Sequence, residues 1–468
     1  MNNRFITPLA RTMTVALALS GCMSLAPQYV RPAAPVAATF DAAPADAATG
    51  ATLEAAAQIA WQRFFADARL RQLVELALAN NRDLRVAILN IEQARAQYQI
   101  RRADSLPTVN AAVNASRAPG ANERITSSYT AGVGVSAFEL DLFGRVRNLS
   151  AAALAQFLAT DEARNGARIS LIASVANTYL AVLADDELLA LTGQTLAARE
   201  ASLKLIQLKF DNGVVSKLDL SQGQSLLDTA RVVQAQQQRQ RAQDINALVL
   251  LVGQKLPASA APASTLALTE LAALPAGLPS DLLAVRPDIR AAEQQLIGAN
   301  ANIGAARANF FPRIALTGSA GSASSQLSGL FNGGALGWTF APSVLLPLFD
   351  GGRNSANLGS AEAGRDIAVA QYERSIQVAF REVSDALAGQ ASFSEQLRAQ
   401  RAVAAAEAER LTLSDLRYRN GAASYLDLLD AQRSLFAAQQ AAVQANLQRL
   451  QNQVTLYRVL GGGSAPRR

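Results

Sequence analysis

The chain repeats itself, and that duplication limits what it can fold into more than any other feature. Asn212-Gly213-Val214-Val215-Ser216-Lys217-Leu218-Asp219-Leu220 returns 208 positions later as Asn420-Gly421-Ala422-Ala423-Ser424-Tyr425-Leu426-Asp427-Leu428. The same offset of 208 pairs Arg145 with Arg353 and Gly253 with Gly461. Earlier in each half the offset is 205, pairing Asp83 with Asp288 and Pro107 with Pro312. The second half therefore holds three extra residues between its proline and its arginine. A length change of that kind belongs in a loop.

Each half predicts the same run of elements. A helix extends from Asp67 to about Ala103, and its counterpart from Ser280 to about Asn309; Leu73, Leu76, Ala77, Leu84, Ala87, Ile88, Ile91 and Ala94 recur at helical spacing. Leu106-Pro107 and Phe311-Pro312 end these helices. Next, Val109, Ala111 and Val113 alternate with Asn110, Ala112 and Asn114, and Tyr129 to Phe143 is rich in Gly, Ser and Val. Arg313 to Ser322 and Gly337 to Leu348 behave likewise, so each half carries a β-hairpin. A proline-free helix then runs from about Asn148 to Asp211, and again from about Ser355 to Arg419. Roughly 60 residues of helix span on the order of 90 Å. Returning helices cover Lys217 to Leu251 and Ser424 to Val459, with Gly213 and Gly421 in the tight turns between.

The N-terminus has a different character. Arg4 and Arg11 precede an apolar stretch, Val15 to Leu19, and then Ser20-Gly21-Cys22, where the chain's only cysteine sits. This is a signal peptide, and Leu19-Ser20-Gly21-Cys22 resembles a bacterial lipobox, in which the cysteine takes the lipid; the ordinary alternative is a signal peptide with an incidental cysteine. The expected organisation is a signal peptide over 1–21, a lipidated Pro/Ala-rich tether over 22–52, a first repeat over 53–254, a linker over 255–280, a second repeat over 281–463 and a tail over 464–468. No later segment has the roughly 20 uninterrupted apolar residues of a spanning helix, so any membrane crossing must use strands.

Several function classes fall away. There is no histidine, and a single cysteine allows neither an intrachain disulfide nor a Cys-rich metal site. The formal charge of +6 is spread along helices and mixed with Asp and Glu, with no patch suited to nucleic acid. The expectation is a protein that is not an enzyme and holds no metal and no cofactor beyond the lipid on Cys22.

About four strands per chain cannot close a membrane barrel, because the smallest outer-membrane barrels use about eight. Open edges in lipid would leave backbone groups unpaired at several kcal/mol each. Three copies supply about twelve strands, enough for a barrel with a lumen. The long Ala-rich helices then pack side by side into a cylinder. The expected fold class is α+β: a trimeric 12-stranded outer-membrane β-barrel, four strands per chain, continuous with a long periplasmic α-helical barrel.

Seven motifs in order carry a family resemblance: Trp61-Gln62-Arg63-Phe64-Phe65 with Asp67, Asn81-Arg82-Asp83-Leu84, Leu140-Asp141-Leu142-Phe143-Gly144-Arg145, Arg286-Pro287-Asp288-Ile289, Pro347-Leu348-Phe349-Asp350-Gly351-Gly352-Arg353, Tyr425 to Arg433, and Tyr457-Arg458-Val459-Leu460-Gly461-Gly462-Gly463. Over nearly the whole mature chain the sequence resembles the TolC-like outer-membrane factors, in the lipoprotein branch serving resistance-nodulation-division (RND) efflux pumps. The resemblance implies a homotrimeric passive conduit in the bacterial outer membrane. Its partners would be a periplasmic adaptor (membrane fusion) protein, an inner-membrane RND-type transporter and outer-membrane lipid, with no nucleic acid. Its cargo would be drugs or other small toxic compounds. A protein-secretion duct shares the same physics, and a periplasmic coiled-coil scaffold is a weaker third reading.

The resemblance also implies site residues. Asp427 and Asp430 match paired acidic residues where the family constricts its pore, and Leu426 matches an apolar constriction. Arg433 and Tyr418 match partners that tie the inner hairpin to its neighbours, and adaptor hairpins dock near the turns at Gly213 and Gly421. On physical grounds, a spacing of three puts Asp427 and Asp430 on one helix face, and threefold symmetry turns each into a ring that favours cations. The ordinary alternative is helix capping, which is the expectation for Asp219, since Gln222 and not an acid follows it three residues later. Trp61, Phe64 and Phe65 are expected to pack together and not to line a ligand pocket.

Overall fold

The order helix, hairpin, long helix, returning helix occurs twice in the structure, a computed structural model describing residues 24–37, 59–119, 125–257, 266, 269, 271–272, 274, 285–332 and 336–462. The first half consists of α1 (Trp61–Phe64), α2 (Ala68–Asn80), α3 (Arg82–Ala103), β1 (Val109–Pro119), β2 (Ile125–Leu140), α4 (Arg145–Asp211) and α5 (Lys217–Val252). The second consists of α6 (Pro287–Ala308), β3 (Arg313–Ser324), a 3-10 turn at Leu327–Gly329, β4 (Leu336–Leu345), α7 (Arg353–Arg419) and α8 (Tyr425–Val459). Both α4 and α7 have 67 residues, about 100 Å of helix each. Cys22 and the segment before it lie outside the described residues.

The single helix expected from Asp67 to Ala103 is two helices, broken at Asn81. Asn81 has extended backbone (ψ 131°). Its side chain donates to Leu251 O at 2.9 Å and accepts from Leu84 N at 2.8 Å, so one amide both caps α3 and ties it to α5. The expected helix start at Ser280 falls outside the described residues. Within them α6 starts at Pro287, whose fixed φ suits a first helical turn. Both 67-residue helices are launched by aspartates of the resembling motifs. Asp141 accepts from Val146 N and Arg147 N at 3.1 and 2.7 Å, and Asp350 accepts from Gly352 N and Asn354 N, both at 2.9 Å.

The described residues fall into two compact units, and each unit draws on both sequence repeats. One holds those of 1–34, 89–161 and 291–374; the other holds those of 35–88, 162–290 and 375–468.

In the first unit the four strands form one antiparallel sheet in the order β1-β2-β3-β4. Val109 pairs with Val135, Val135 with Gly318, and Gly318 with Phe340. A bulge between Val135 and Phe138 sets Ala137 at a φ of 54°, the local bend that bulges give a strand. Glu139, at the end of β2, holds Arg145 of α4 and Arg313 of β3, each at 2.6 Å. Every residue of β1 and β4 is exposed, and Trp338 of β4 is 78% exposed. Bare outer strands of this kind are edges suited to pairing with further strands or to burial in lipid. The described part of the N-terminal arm, expected as an extended tether, is hydrogen-bonded to this unit. Ser24 Oγ donates to Asn148, Asn300 donates to Pro27 O, and Arg31 grips Glu293 through two bonds of 2.7 and 2.8 Å.

In the second unit, Trp61, Phe64 and Phe65 are buried packing residues. The ring of Phe64 stacks on Tyr457 at 4.2 Å and 6°. Leu266, in the expected linker, is fully buried in the same core, and Leu271 bridges to Phe65. Arg286 is buried; it bonds Asp288 and Glu382 and donates to Val459 O at 3.1 Å, tying the start of α6 to α7 and α8. One described helix, Arg145–Asp211, is long and apolar enough to cross a membrane by length and composition, but 61% of its apolar window is buried inside the protein. Ile172, Val175, Tyr179 and Leu183 belong to the core of this unit.

Candidate functional site

The two helical-hairpin ends lie in the second unit, and their construction is the same. After α4, Gly213 takes a φ of 71° and donates to Phe210 O at 2.9 Å, while Val214 N donates back to Lys209 O at 2.8 Å. After α7, Gly421 has the same φ of 71°, with Gly421 N to Tyr418 O at 3.0 Å and Ala422 N to Arg417 O at 2.8 Å. This paired bonding closes a helix through a left-handed residue, which glycine alone adopts without strain.

The returning helices also start alike. Ser216 and Asp219 cap α5 reciprocally, with Ser216 N to Asp219 Oδ2 at 3.0 Å and Asp219 N to Ser216 Oγ at 3.2 Å. Ser424 and Asp427 cap α8 with distances of 3.0 and 3.3 Å. The contrast expected between a capping Asp219 and a differently employed Asp427 does not hold at this level, because both carboxylates serve a capping box. Hydrogen bonds from Ser424 hold the Asp427 carboxyl below the ordinary carboxylate range, and bonds from Ser216 do the same for Asp219.

Asp430 is placed differently. It accepts from Arg410 of α7 and from Arg433, the latter at 3.0 Å, and these two guanidiniums hold its carboxyl below the ordinary range. Arg410 also bonds Glu407 at 3.1 Å, so the ion pairs form a short network across the hairpin. Tyr418 joins the two hairpins. Lys209 of α4 lies 4.8 Å over its ring and donates to its hydroxyl at 3.2 Å, and Tyr425 is 5.6 Å away. Beneath these contacts Ile206, Leu220, Tyr425, Leu428 and Leu429 form a small apolar core. Leu426 is left 54% exposed beside it.

The expected site residues Leu426, Asp427, Asp430, Arg433, Tyr418 and Gly421 thus gather at one hairpin end, with Gly213 at the other. Cys22 is outside the described residues. Sequence reasoning missed Arg410 and Lys209. A signal for Arg410 existed: it and Asp430 stand nearly equal steps either side of Asn420-Gly421, so the fold-back brings them level. Among the described residues no group of His, Cys, Asp and Glu is suited to a metal.

The profile of the family described as Outer membrane efflux protein matches residues 73–254 and 278–462, one span in each sequence repeat. The chain is 48% identical to the toluene efflux pump outer membrane protein TtgC of Pseudomonas putida, across 96% of this chain and 94% of that one. It is equally similar, at 48% and the same coverage, to the antibiotic efflux pump outer membrane protein ArpC of Pseudomonas putida. Among solved structures it resembles the open state of the Neisseria gonorrhoeae MtrE outer membrane channel, with a TM-score of 0.87 and 40% identity, covering 94% of this chain and 98% of that one.

Proposed function

The chain belongs to the outer membrane efflux protein family, and from that premise we propose that three copies of it assemble into the outer-membrane end of a tripartite pump. It is an outer-membrane efflux channel and not an enzyme. The observation that carries the trimer is the sheet: β1 and β4 each pair on one side only among the described residues, and both are exposed throughout. In a bilayer those edges require partners, and β4 of one copy meeting β1 of the next, three times, closes the ring.

A periplasmic adaptor then docks near the hairpin ends at Gly213 and Gly421, and an inner-membrane RND-type transporter drives export. The relatives named for toluene and antibiotic efflux support a cargo of small apolar or amphipathic toxic compounds. A secretion-duct role is not supported by those relatives. The hairpin end bearing Leu426, Asp427, Asp430, Arg433 and Tyr418 is the periplasmic gate, where three symmetry-related copies of each acid ring the passage. Cys22 carries the lipid anchor; mass spectrometry of the mature N-terminus checks this, and an unmodified end or a cut elsewhere contradicts it.

Deleting the coding sequence should increase susceptibility to several antibiotics and to toluene, and supplying the intact chain should reverse it. Unchanged susceptibility together with a defect in protein release would favour the secretion duct.

A further inference from the structure

Arg199 of α4 is a buried cation that, among the described residues, no carboxylate balances. It is 4% exposed. Its Nη1 donates to Leu226 O at 2.9 Å, its guanidinium lies 5.2 Å over the Phe436 ring, and its Nε has no hydrogen-bond partner. Burial, and secondly the nearby charge of Arg433, push its pKa down. A guanidinium does not lose its proton at any physiological pH, so it cannot escape this environment by becoming neutral. An unpaired charge so placed is among the most expensive features a fold can retain.

Arg199 borders an open-sided cavity of about 660 Å³ lined by α4, α5 and α8. Arg433 lines it too, keeping one nitrogen on Asp430 and leaving other N–H groups free to donate. The remaining polar wall comes from Ser221, Gln222, Ser225, Thr229 and Gln440, and no Asp or Glu takes part. Two cations, hydroxyl and amide groups and no acid make an environment for negative charge.

We propose that this cavity binds a small inorganic anion of chloride size, held by Arg199 and Arg433 and by the hydroxyls of α5. A halide fits better than an acidic side chain of another protein, because so little of Arg199 is reachable from the surface. The lining comes from one chain and shares Leu426 and Arg433 with the proposed gate, so the tests below read anion binding directly and not gating.

Bromide replaces chloride and can be located by its anomalous scattering. Crystals of the full-length detergent-purified protein soaked in bromide should show a peak in this cavity against the Arg199 guanidinium, and Arg199→Gln crystals should lose it. In solution, the wild-type Tm should be higher in sodium chloride than in sodium gluconate of equal ionic strength, with the difference much reduced in Arg199→Gln. The wild-type comparison alone decides the matter if the variant does not fold. No wild-type peak, a peak of full height in Arg199→Gln, equal Tm in the two salts, or a carboxylate of a second copy occupying the cavity would each overturn the proposal.

Discussion

Arg410 and Asp430 meet across the second helical hairpin, guanidinium to carboxylate at 2.5 Å, 20 positions apart in the chain. Arg433 holds the other oxygen of the same carboxylate at 3.0 Å. Exposed ion pairs are individually weak, but in the proposed trimer three symmetry copies would act together at the proposed gate. Replacing Arg433 with Ala, or Asp427 and Asp430 together with Ala, should loosen that end. In planar bilayers both variants should conduct more than the wild type, and the double variant should lose cation preference. Unchanged conductance and selectivity in both would reduce these residues to helix capping and pairing.

The pH dependence of that end has a definite sign. Asp427 and Asp430 both titrate below the ordinary carboxylate value, through bonds from Ser424 and from Arg410 and Arg433 respectively. Their contribution is present above the unfolded pKa, about 3.9, and is lost as pH falls through the lower folded value. Asp185 of α4 behaves oppositely. Burial, and then a hydrogen bond and charge from Asp244, raise it to about 7, with Asp186 adding and Arg241 opposing. At this group the folded chain therefore binds more proton than the unfolded chain between about pH 4 and about pH 7, and the group's contribution to stability falls as pH rises through that window. Thermal unfolding at pH 5 and pH 8 should show a lower Tm at the higher pH, and Asp185→Asn should flatten the difference. An equal pH effect in the variant would assign it to another group.

Glu293 anchors the N-terminal arm through Arg31 and accepts from the Tyr29 hydroxyl at 3.0 Å. Burial, then the Glu293 charge, push the Tyr29 pKa up to about 12, so the phenol stays protonated and remains a donor. Glu293 is 11% exposed as a side chain, and losing this charge-assisted pair should weaken docking by about 1.5–3 kcal/mol. Glu293→Gln should make the arm a site of limited proteolysis while the rest of the chain resists. Equal protection of the arm in both proteins would show that Asn148 and Asn300 hold it without Glu293.

What was legible in the sequence followed from periodicity and punctuation. The Asn-Gly pairs marked the hairpin ends because only a left-handed turn lets a 67-residue helix reverse so tightly. Pro107 and Pro312 marked the step from helix to strand. The break at Asn81 was not legible, because it depends on Leu251 O, which lies 170 residues away. Leu266 and Leu271 sit in a Pro/Ala-rich stretch that reads as spacer, and it is the distant core holding Phe65 and Tyr457 that takes them in. Asp427 and Asp219 differ in their sequence neighbours, yet the local cap dominates both. Arg199 looked like one more charge on a solvated helix until α5 and α8 closed over it.

The duplication also fixes a register between copies. Within the chain, β2 meets β3 with Val135 opposite Gly318. Val109 pairs with Val135 and Ile314 with Val344, so Val344 is the counterpart of Val135, and Val113 is the counterpart of Gly318 by the 205-residue offset. Val344 of one copy should therefore lie opposite Val113 of the next. Cysteines at these two positions should cross-link copies on oxidation, and the slipped pair Val344→Cys with Ala111→Cys should cross-link far less. Preferential cross-linking of the slipped pair would show that the seam between copies departs from the one inside the chain.

The most direct measurement is the native mass of the assembly extracted in mild detergent. In the proposed trimer, three copies of the four-stranded sheet, bare on both outer strands, close about twelve strands. A single species with the mass of three mature chains is expected. A stable, folded single chain would contradict the account.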